Sequence, residues 1–231
     1  MITTAAKPAI IFDTETGPLP ADELAKAIPP FDPASVKLGN TKDPDKIAAK
    51  IAEAKAEYET ESVSKAALDA LTGRVLAVGY FHAREQEFDL HIHDGTANGE
   101  RKLLVAFWAA VSFATGGSAT LVGHNIHGFD LPFLIQRSRL LGVSMPPLGE
   151  LLFRNRYWAE CFVDTMQNWN CGKYNAYTSL DRLAKAFGLG GKNGSGADFA
   201  GLWETDRSTA EAYLKNDLEL TYRVAMQLGV C

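Results

Sequence analysis

The chain has 231 residues, 46% of them hydrophobic, and 28 Asp and Glu set against 23 Lys and Arg give it a formal charge of −5. That length supplies one large domain or two small ones with a sizeable core, the charge weighs against a protein that grips long duplex by neutralising phosphates, and no apolar run reaches the roughly 18 residues of a membrane span. Cys161, Cys171 and Cys231 show no Cys-x-x-Cys spacing, which argues against a disulfide framework or zinc site, and Lys7-Pro8 interrupts any signal-peptide core, so a cytoplasmic protein with reduced thiols is expected.

Residues 10–17 (IIFDTETG) read as a short buried strand that ends in two carboxylates and a turn. Strand side chains alternate, so Asp13 and Glu15 fall on one side about 7 Å apart along the backbone. Like charges so placed require a cation, a raised pKa or open water. A polar excursion follows over 18–72. Asp43-Pro44 opens a helix over 43–59 with Ile47, Ile51, Ala54 and Tyr58 on one stripe, and a short second helix is expected over 64–71. Lys42, Lys46 and Lys50 form either a basic ridge or a solvated face. The segment has too few large apolar residues for a core of its own and reads as an insertion.

Residues 74–83 and 87–93 read as a strand pair. His91 and His93 share a face, but without a third ligand nearby they read as exposed or core histidines. A well-buried helix over 99–114 is stopped at Gly116-Gly117, and 119–122 is a fourth strand. The stretch 123–130 (GHNIHGFD) leads into a helix over 131–141, with Asp130 at the N-cap position and Pro132 in the first turn. A fifth strand over 161–163 ends at Asp164. Thr178 and Asp181 resemble a capping box for the helix that Gly188 closes, and 190–196 (GGKNGSG) is a flexible loop whose Lys192 can reach a phosphate. The last helix is expected to open on a Ser208/Glu211 capping box and to end at Gly229. Its Tyr213, Asp217, Leu220 and Val224 form one stripe, so a carboxylate lies on or beside the buried face with a tyrosine one turn before it.

Taken in order, Phe12-Asp13-Thr14-Glu15-Thr16, Asn125-x-x-x-Phe129-Asp130 and Tyr213-x-x-x-Asp217 resemble the three motifs of the DEDD superfamily of 3′-5′ exonucleases, in its Tyr-x-x-x-Asp branch. The likeness runs from residue 8 to about 228, interrupted by the insertion, which looks like that of stand-alone phage and prophage members. The resemblance implies an α/β, ribonuclease H-like fold: a mixed five-stranded sheet flanked by helices, forming one exonuclease domain over 1–231. It implies two Mg²⁺ or Mn²⁺ ions held by Asp13, Glu15, Asp130 and Asp217, with Tyr213 orienting or deprotonating the attacking water. Thr14, Thr16, Gly17 and Leu19 would line the slot for the terminal nucleotide, and His124, Asn125 and Phe129 would contact the strand.

The expected activity is removal of nucleoside 5′-monophosphates from the 3′ end of DNA, single-stranded in the first instance, with no membrane and with a polymerase or recombination protein as a candidate partner. Two alternatives stay open. One is an exoribonuclease of the same mechanism, since no motif reveals a contact to a 2′ hydroxyl. The other is a catalytically silent nucleic-acid or partner-binding module on the same fold.

Overall fold

The computed structural model describes residues 8–146, 161–173, 176–192, 194 and 196–231. They fall into two compact units, one running from Gly17 to Arg74 and the other comprising the chain up to Thr16 and from Val75 onward. In the larger unit the strands are β1 (Ala9–Pro18), β2 (Gly73–His82), β3 (Glu87–Ile92), β4 (Thr120–Gly123) and β5 (Phe162–Asp164), the first two crossing the unit boundary at one end. They form one mixed sheet in the order β3-β2-β1-β4-β5. β2 and β3 are antiparallel, pairing Val78 with His91 and Phe81 with Phe88, whereas β1 runs parallel to β4 and β4 parallel to β5. Parallel neighbours place the C-terminal ends of β1, β4 and β5 on one edge of the sheet. This is the ribonuclease H-like α/β architecture that the sequence leads one to expect.

Side-chain alternation along β1 decides what each sheet face carries. Phe12 is fully buried, with its ring 5.6 Å from that of Phe107 on α3 (Gly99–Phe113) and 6.4 Å from that of Phe162 on β5. Ile11, one residue earlier, points the other way and joins Leu76, Val122, Leu214 and Leu218 in the main core cluster. Leu214 and Leu218 belong to the last helix, α8 (Arg207–Gln227). Gly79 of β2 allows that helix to lie close to the sheet, because a Cβ there would meet Leu218 Cδ1 at 2.8 Å and Leu214 Cγ at 2.9 Å.

On the other side, α3 packs with α4 (Asp130–Leu141). Trp108 Nε1 donates to Ser138 Oγ at 2.8 Å, and Glu100 accepts Nε and Nη2 of Arg137, both at 2.7 Å, as well as the Val75 amide at 3.0 Å. A buried ion pair this fully hydrogen-bonded satisfies charges that would otherwise be costly.

In the smaller unit, α1 spans Ala21–Ala27 and α2 spans Pro44–Lys65. Asp43 caps α2 by accepting from the Asp45 amide at 3.0 Å, with Pro44 in the first turn, as expected. The helix does not stop at residue 59. No Gly or Pro occurs between 59 and 65, a Glu61–Lys65 pair supports its last turn, and what was expected as a second helix is a single 3₁₀ turn, Ala66–Leu68. The Ile47, Ile51, Ala54 and Tyr58 stripe is the partly covered face. Tyr58 donates to the Pro29 carbonyl at 2.7 Å and its ring lies 5.7 Å from that of Phe31. Of the three expected ridge lysines, all exposed, Lys50 is tied to the segment before the helix, donating to the Leu38 carbonyl at 3.2 Å and to Thr41 Oγ1 at 3.3 Å.

The remaining helices are α5 (Thr165–Trp169), α6 (Leu180–Ala186), α7 (Gly196–Thr205) and α8 (Arg207–Gln227). Two caps differ from expectation. Ser179, not Thr178, caps α6 by accepting from the Arg182 amide at 3.3 Å, and Asp206, not Ser208, caps α8 by accepting from the Thr209 amide at 3.1 Å. In each case a neighbouring Ser, Thr or Asp offers a capping oxygen of the same kind. The loop expected over 190–196 gives way to α7 at Gly196, and Asn193 and Ser195 lie outside the described residues. Among the described residues no helix is long and apolar enough to cross a membrane.

Candidate active site

β1 delivers Asp13 and Glu15 from the same strand face as Ile11, and α8 delivers Tyr213 and Asp217, one turn apart, from the face it packs on that sheet. Ligand-capable oxygens of Asp13, Glu15 and Asp217 all lie within 4.8 Å of one another, and this is the metal-capable cluster found among the described residues. Glu15 and Asp217 are buried and Asp13 is partly so. Asp130 is buried as well and is fastened to the first motif, since its Oδ1 accepts the Thr14 amide at 3.1 Å across 116 positions of sequence. It is not the N-cap of α4: the cap residue is Phe129, and Asp130 is the first helical residue, with its carboxylate turned to β1. The long-range bond competes for the oxygen that local capping would have used.

The electrostatics are those of crowded acids. Burial, then the charge of Asp217, pushes Asp13 up to about 7, with Lys192 and the Thr14 amide opposing. Glu15 is held well above the usual carboxylate range by burial and then by Asp13 and Asp217, and Asp130 by burial and then by Asp13. Burial also raises Asp217, against the pull of Lys192. Tyr213 is raised by burial and then by Asp217 and Glu15, which keeps its phenol neutral. Among the described residues the cation at the cluster is Lys192, whose Nζ lies 2.5 Å from Asp217 Oδ2 and 5.4 Å from the centre of the Tyr213 ring. Burial would lower the Lys192 pKa, but Asp217 and Asp13 outweigh it and hold the ammonium charged. One ammonium does not neutralise four carboxylates, and hard oxygen donors at this density suit a hard divalent cation.

The other residues expected at the site fall in three places. Thr14 and Thr16 are buried on β1. Gly17 and Leu19 belong to the smaller unit, where the Leu19 amide donates to the Thr72 carbonyl at 2.9 Å. His124, Asn125 and Phe129 sit in the segment that joins β4 to α4. His124 is tied through both ring nitrogens, to Thr165 Oγ1 at 2.9 Å and to the Thr178 carbonyl at 2.8 Å, and burial lowers its pKa. Asn125 takes a left-handed backbone (φ 61°), and the half-buried Phe129 ring lies 5.6 Å from that of Phe133. His93 is a core histidine, edge-on to Trp203 at 5.5 Å, and His91 pairs with Asp89 at 3.2 Å.

Sequence reading missed Asp164 as part of this assembly. Its buried carboxylate accepts four backbone amides: Asn125 and His127, each at 3.0 Å, Met166 at 2.9 Å and Gln167 at 3.2 Å. It therefore both caps α5 and pins the segment that carries Asn125 and leads to Asp130. The signal was present: Phe162-Val163-Asp164-Thr165 repeats, at the end of another parallel strand, the apolar-Asp-Thr pattern of Phe12-Asp13-Thr14.

No curated protein matches the chain. Among solved structures, it is similar to the family B DNA polymerase from the hyperthermophilic archaeon Pyrobaculum calidifontis, with a TM-score of 0.56 and 17% identity over 96% of this chain. The likeness covers 24% of that polymerase, about a quarter of its length, and at this identity it speaks to the fold. Residues 68–230, well over half of the sequence and including Asp130, Tyr213 and Asp217, match a family described as predicted 3′-5′ exonucleases related to the exonuclease domain of PolB, and the chain belongs to that family.

Proposed function

We propose that the chain is a divalent-metal-dependent 3′-5′ exonuclease that removes nucleoside 5′-monophosphates one at a time from the 3′ end of DNA, holding that end as a single strand. The observation that carries this reading is the meeting of Asp13, Glu15 and Asp217 within 4.8 Å, beside a buried tyrosine on the same helix. The donor set fits the group: three clustered carboxylates, all raised by burial and Asp13 and Glu15 also by their acidic neighbours, are relieved by a bound cation. Asp13, Glu15 and Asp217 would hold Mg²⁺ or Mn²⁺, with Asp130 completing a second position. When bound, such ions polarise phosphoryl oxygens, lower the pKa of an attacking water and neutralise the departing 3′ oxygen.

The chain's own residues account for the rest. Tyr213, kept protonated by its surroundings, donates a hydrogen bond that positions water and is poorly suited to act as a base. Phe129 offers an aromatic surface to an unstacked base. Thr14 and Thr16 are proposed to line the terminal nucleotide, and Asn125, with His124 beside it in sequence, to meet the strand. In the reaction a water oxygen bonds to the phosphorus of the terminal nucleotide, the bond to the preceding 3′ oxygen breaks, and that oxygen leaves with a proton.

The test is digestion of 5′-labelled DNA and RNA oligonucleotides, side by side, with Mn²⁺ or Mg²⁺ and with EDTA. The expected result is a ladder shortening from the 3′ end, 5′-monophosphate products and no activity in EDTA. Products bearing 3′-phosphates, or full activity in EDTA, would overturn the proposal. Faster loss of the RNA would convert it to the exoribonuclease form with the same residues.

A further inference from the structure

Lys192 stands among the acids that the proposed metal site requires. About a quarter of its side chain is exposed (25%) against 2% for Asp217, whereas lysine pairs such as Lys102–Asp94 and Lys185–Asp181 lie at the surface. Its main chain is fixed: the Lys192 amide donates to Asp181 Oδ1 at 3.0 Å, and a Cβ on Gly191 would meet that same oxygen at 2.6 Å. The charged end is not fixed in the same way, since four rotatable torsions lie between it and the backbone.

A divalent ion binds a carboxylate oxygen at roughly 2.0 to 2.6 Å. The Lys192 ammonium lies 2.5 Å from Asp217 Oδ2 and so fills one of the two lone-pair directions through which that oxygen could take an ion, and it crowds the other. An ammonium has no lone pair to offer an ion and repels it. Occupation of that oxygen by Lys192 and by metal is therefore competitive.

Accordingly, and resting on the metal-dependent reading above, we infer that Lys192 is a displaceable counterion: it holds Asp217 in the metal-free protein, yields that oxygen to a divalent ion, and then offers its freed ammonium to the phosphate of the incoming 3′ nucleotide. Metal and nucleotide phosphate are then coupled through one side chain. Each should tighten binding of the other, because the phosphate removes the competitor from the carboxylate.

The experiment is calorimetric titration of Mn²⁺ into metal-free wild type, Lys192→Met, Lys192→Gln and Asp13→Ala, with and without a nucleoside 5′-monophosphate. Loss of the competitor should tighten Mn²⁺ binding by about tenfold or more in Lys192→Met and Lys192→Gln when nucleotide is absent. The tightening by nucleotide should shrink in both variants relative to wild type. Wild-type binding that Asp13→Ala abolishes, together with unchanged or weaker Mn²⁺ affinity in both Lys192 variants, would overturn the counterion role and leave the metal site standing. Absence of Mn²⁺ binding by wild type would overturn both.

Discussion

Asp13 shares a few ångströms with Glu15 and Asp217, and the pH dependence of the protein should report it. Its carboxyl is raised in the folded chain to about 7 from 3.8, so between those values the native state binds more protons than the unfolded one. The stability it contributes is therefore complete below about pH 4 and is lost as pH rises through 7. Thermal unfolding in EDTA should show a midpoint that falls from pH 5 to pH 8, flattens in Asp13→Asn, and is restored at pH 8 by Mn²⁺. A midpoint that rises with pH in EDTA would contradict the assignment. In activity, Asp13→Ala should lose several orders of magnitude in turnover, whereas Tyr213→Phe, which removes one hydroxyl and leaves the carboxylates, should lose roughly 10²- to 10⁴-fold with Mn²⁺ affinity intact. Equal losses in the two variants, read by single-turnover kinetics, would mean that the tyrosine supports the metal site and does not position water.

At the scale of elements, the site depends on two close fits. The first is α8 against β2 at Gly79, where no side chain can be added without meeting Leu214 and Leu218 at less than 3.0 Å. Gly79→Ala should cost about 1 to 3 kcal/mol by forcing the helix outward. Because Asp217 travels with α8, Mn²⁺ affinity should fall as well, although no ligand is altered; denaturant unfolding and calorimetry check the two effects separately. The second fit is the seam closed by Asp164. Asp164→Asn keeps an oxygen for Asn125, Met166 and Gln167 but turns an amide toward the His127 N–H, setting donor against donor. A loss of about 1 to 3 kcal/mol is expected. The expected kinetic signature is a raised KM for oligonucleotide with a smaller change in kcat, since the segment bearing Asn125 and Phe129 loosens while Asp13, Glu15 and Asp217 stay in place.

At the scale of the whole molecule, the smaller unit leaves and re-enters the chain at neighbouring points, with the Leu19 amide bonded to the Thr72 carbonyl at 2.9 Å. Ends that already meet can be joined by a short turn at little entropic cost. Replacing residues 20–71 by a Gly-containing turn should leave a protein that unfolds cooperatively and still binds Mn²⁺ through Asp13, Glu15 and Asp217. Circular dichroism melts and calorimetry on the shortened chain check this, and a chain without a cooperative transition would make the insertion a required part of the fold. Mn²⁺ binding kept but processing of long oligonucleotides lost would assign the insertion to substrate handling.

What the sequence determined by itself was local. Alternation along β1 put Asp13 and Glu15 on one face, helical periodicity put Tyr213 and Asp217 on the buried stripe of α8, and proline and glycine punctuation marked the start of α4 and the ends of α3, α6 and α8 but not that of α2, because these patterns are set by residues within a turn or a strand of one another. Tertiary structure decided whatever depends on distant partners: that Asp130 spends its oxygen on the Thr14 amide instead of on a cap, that Asp164 gathers four amides, that Gly79 admits α8, and that Lys192 enters the carboxylate cluster. A capping oxygen, a loop lysine or a strand glycine is compatible with several environments when read along the chain. Sheet order and the depth at which a helix docks choose among them, since only they fix which groups lie within hydrogen-bonding reach.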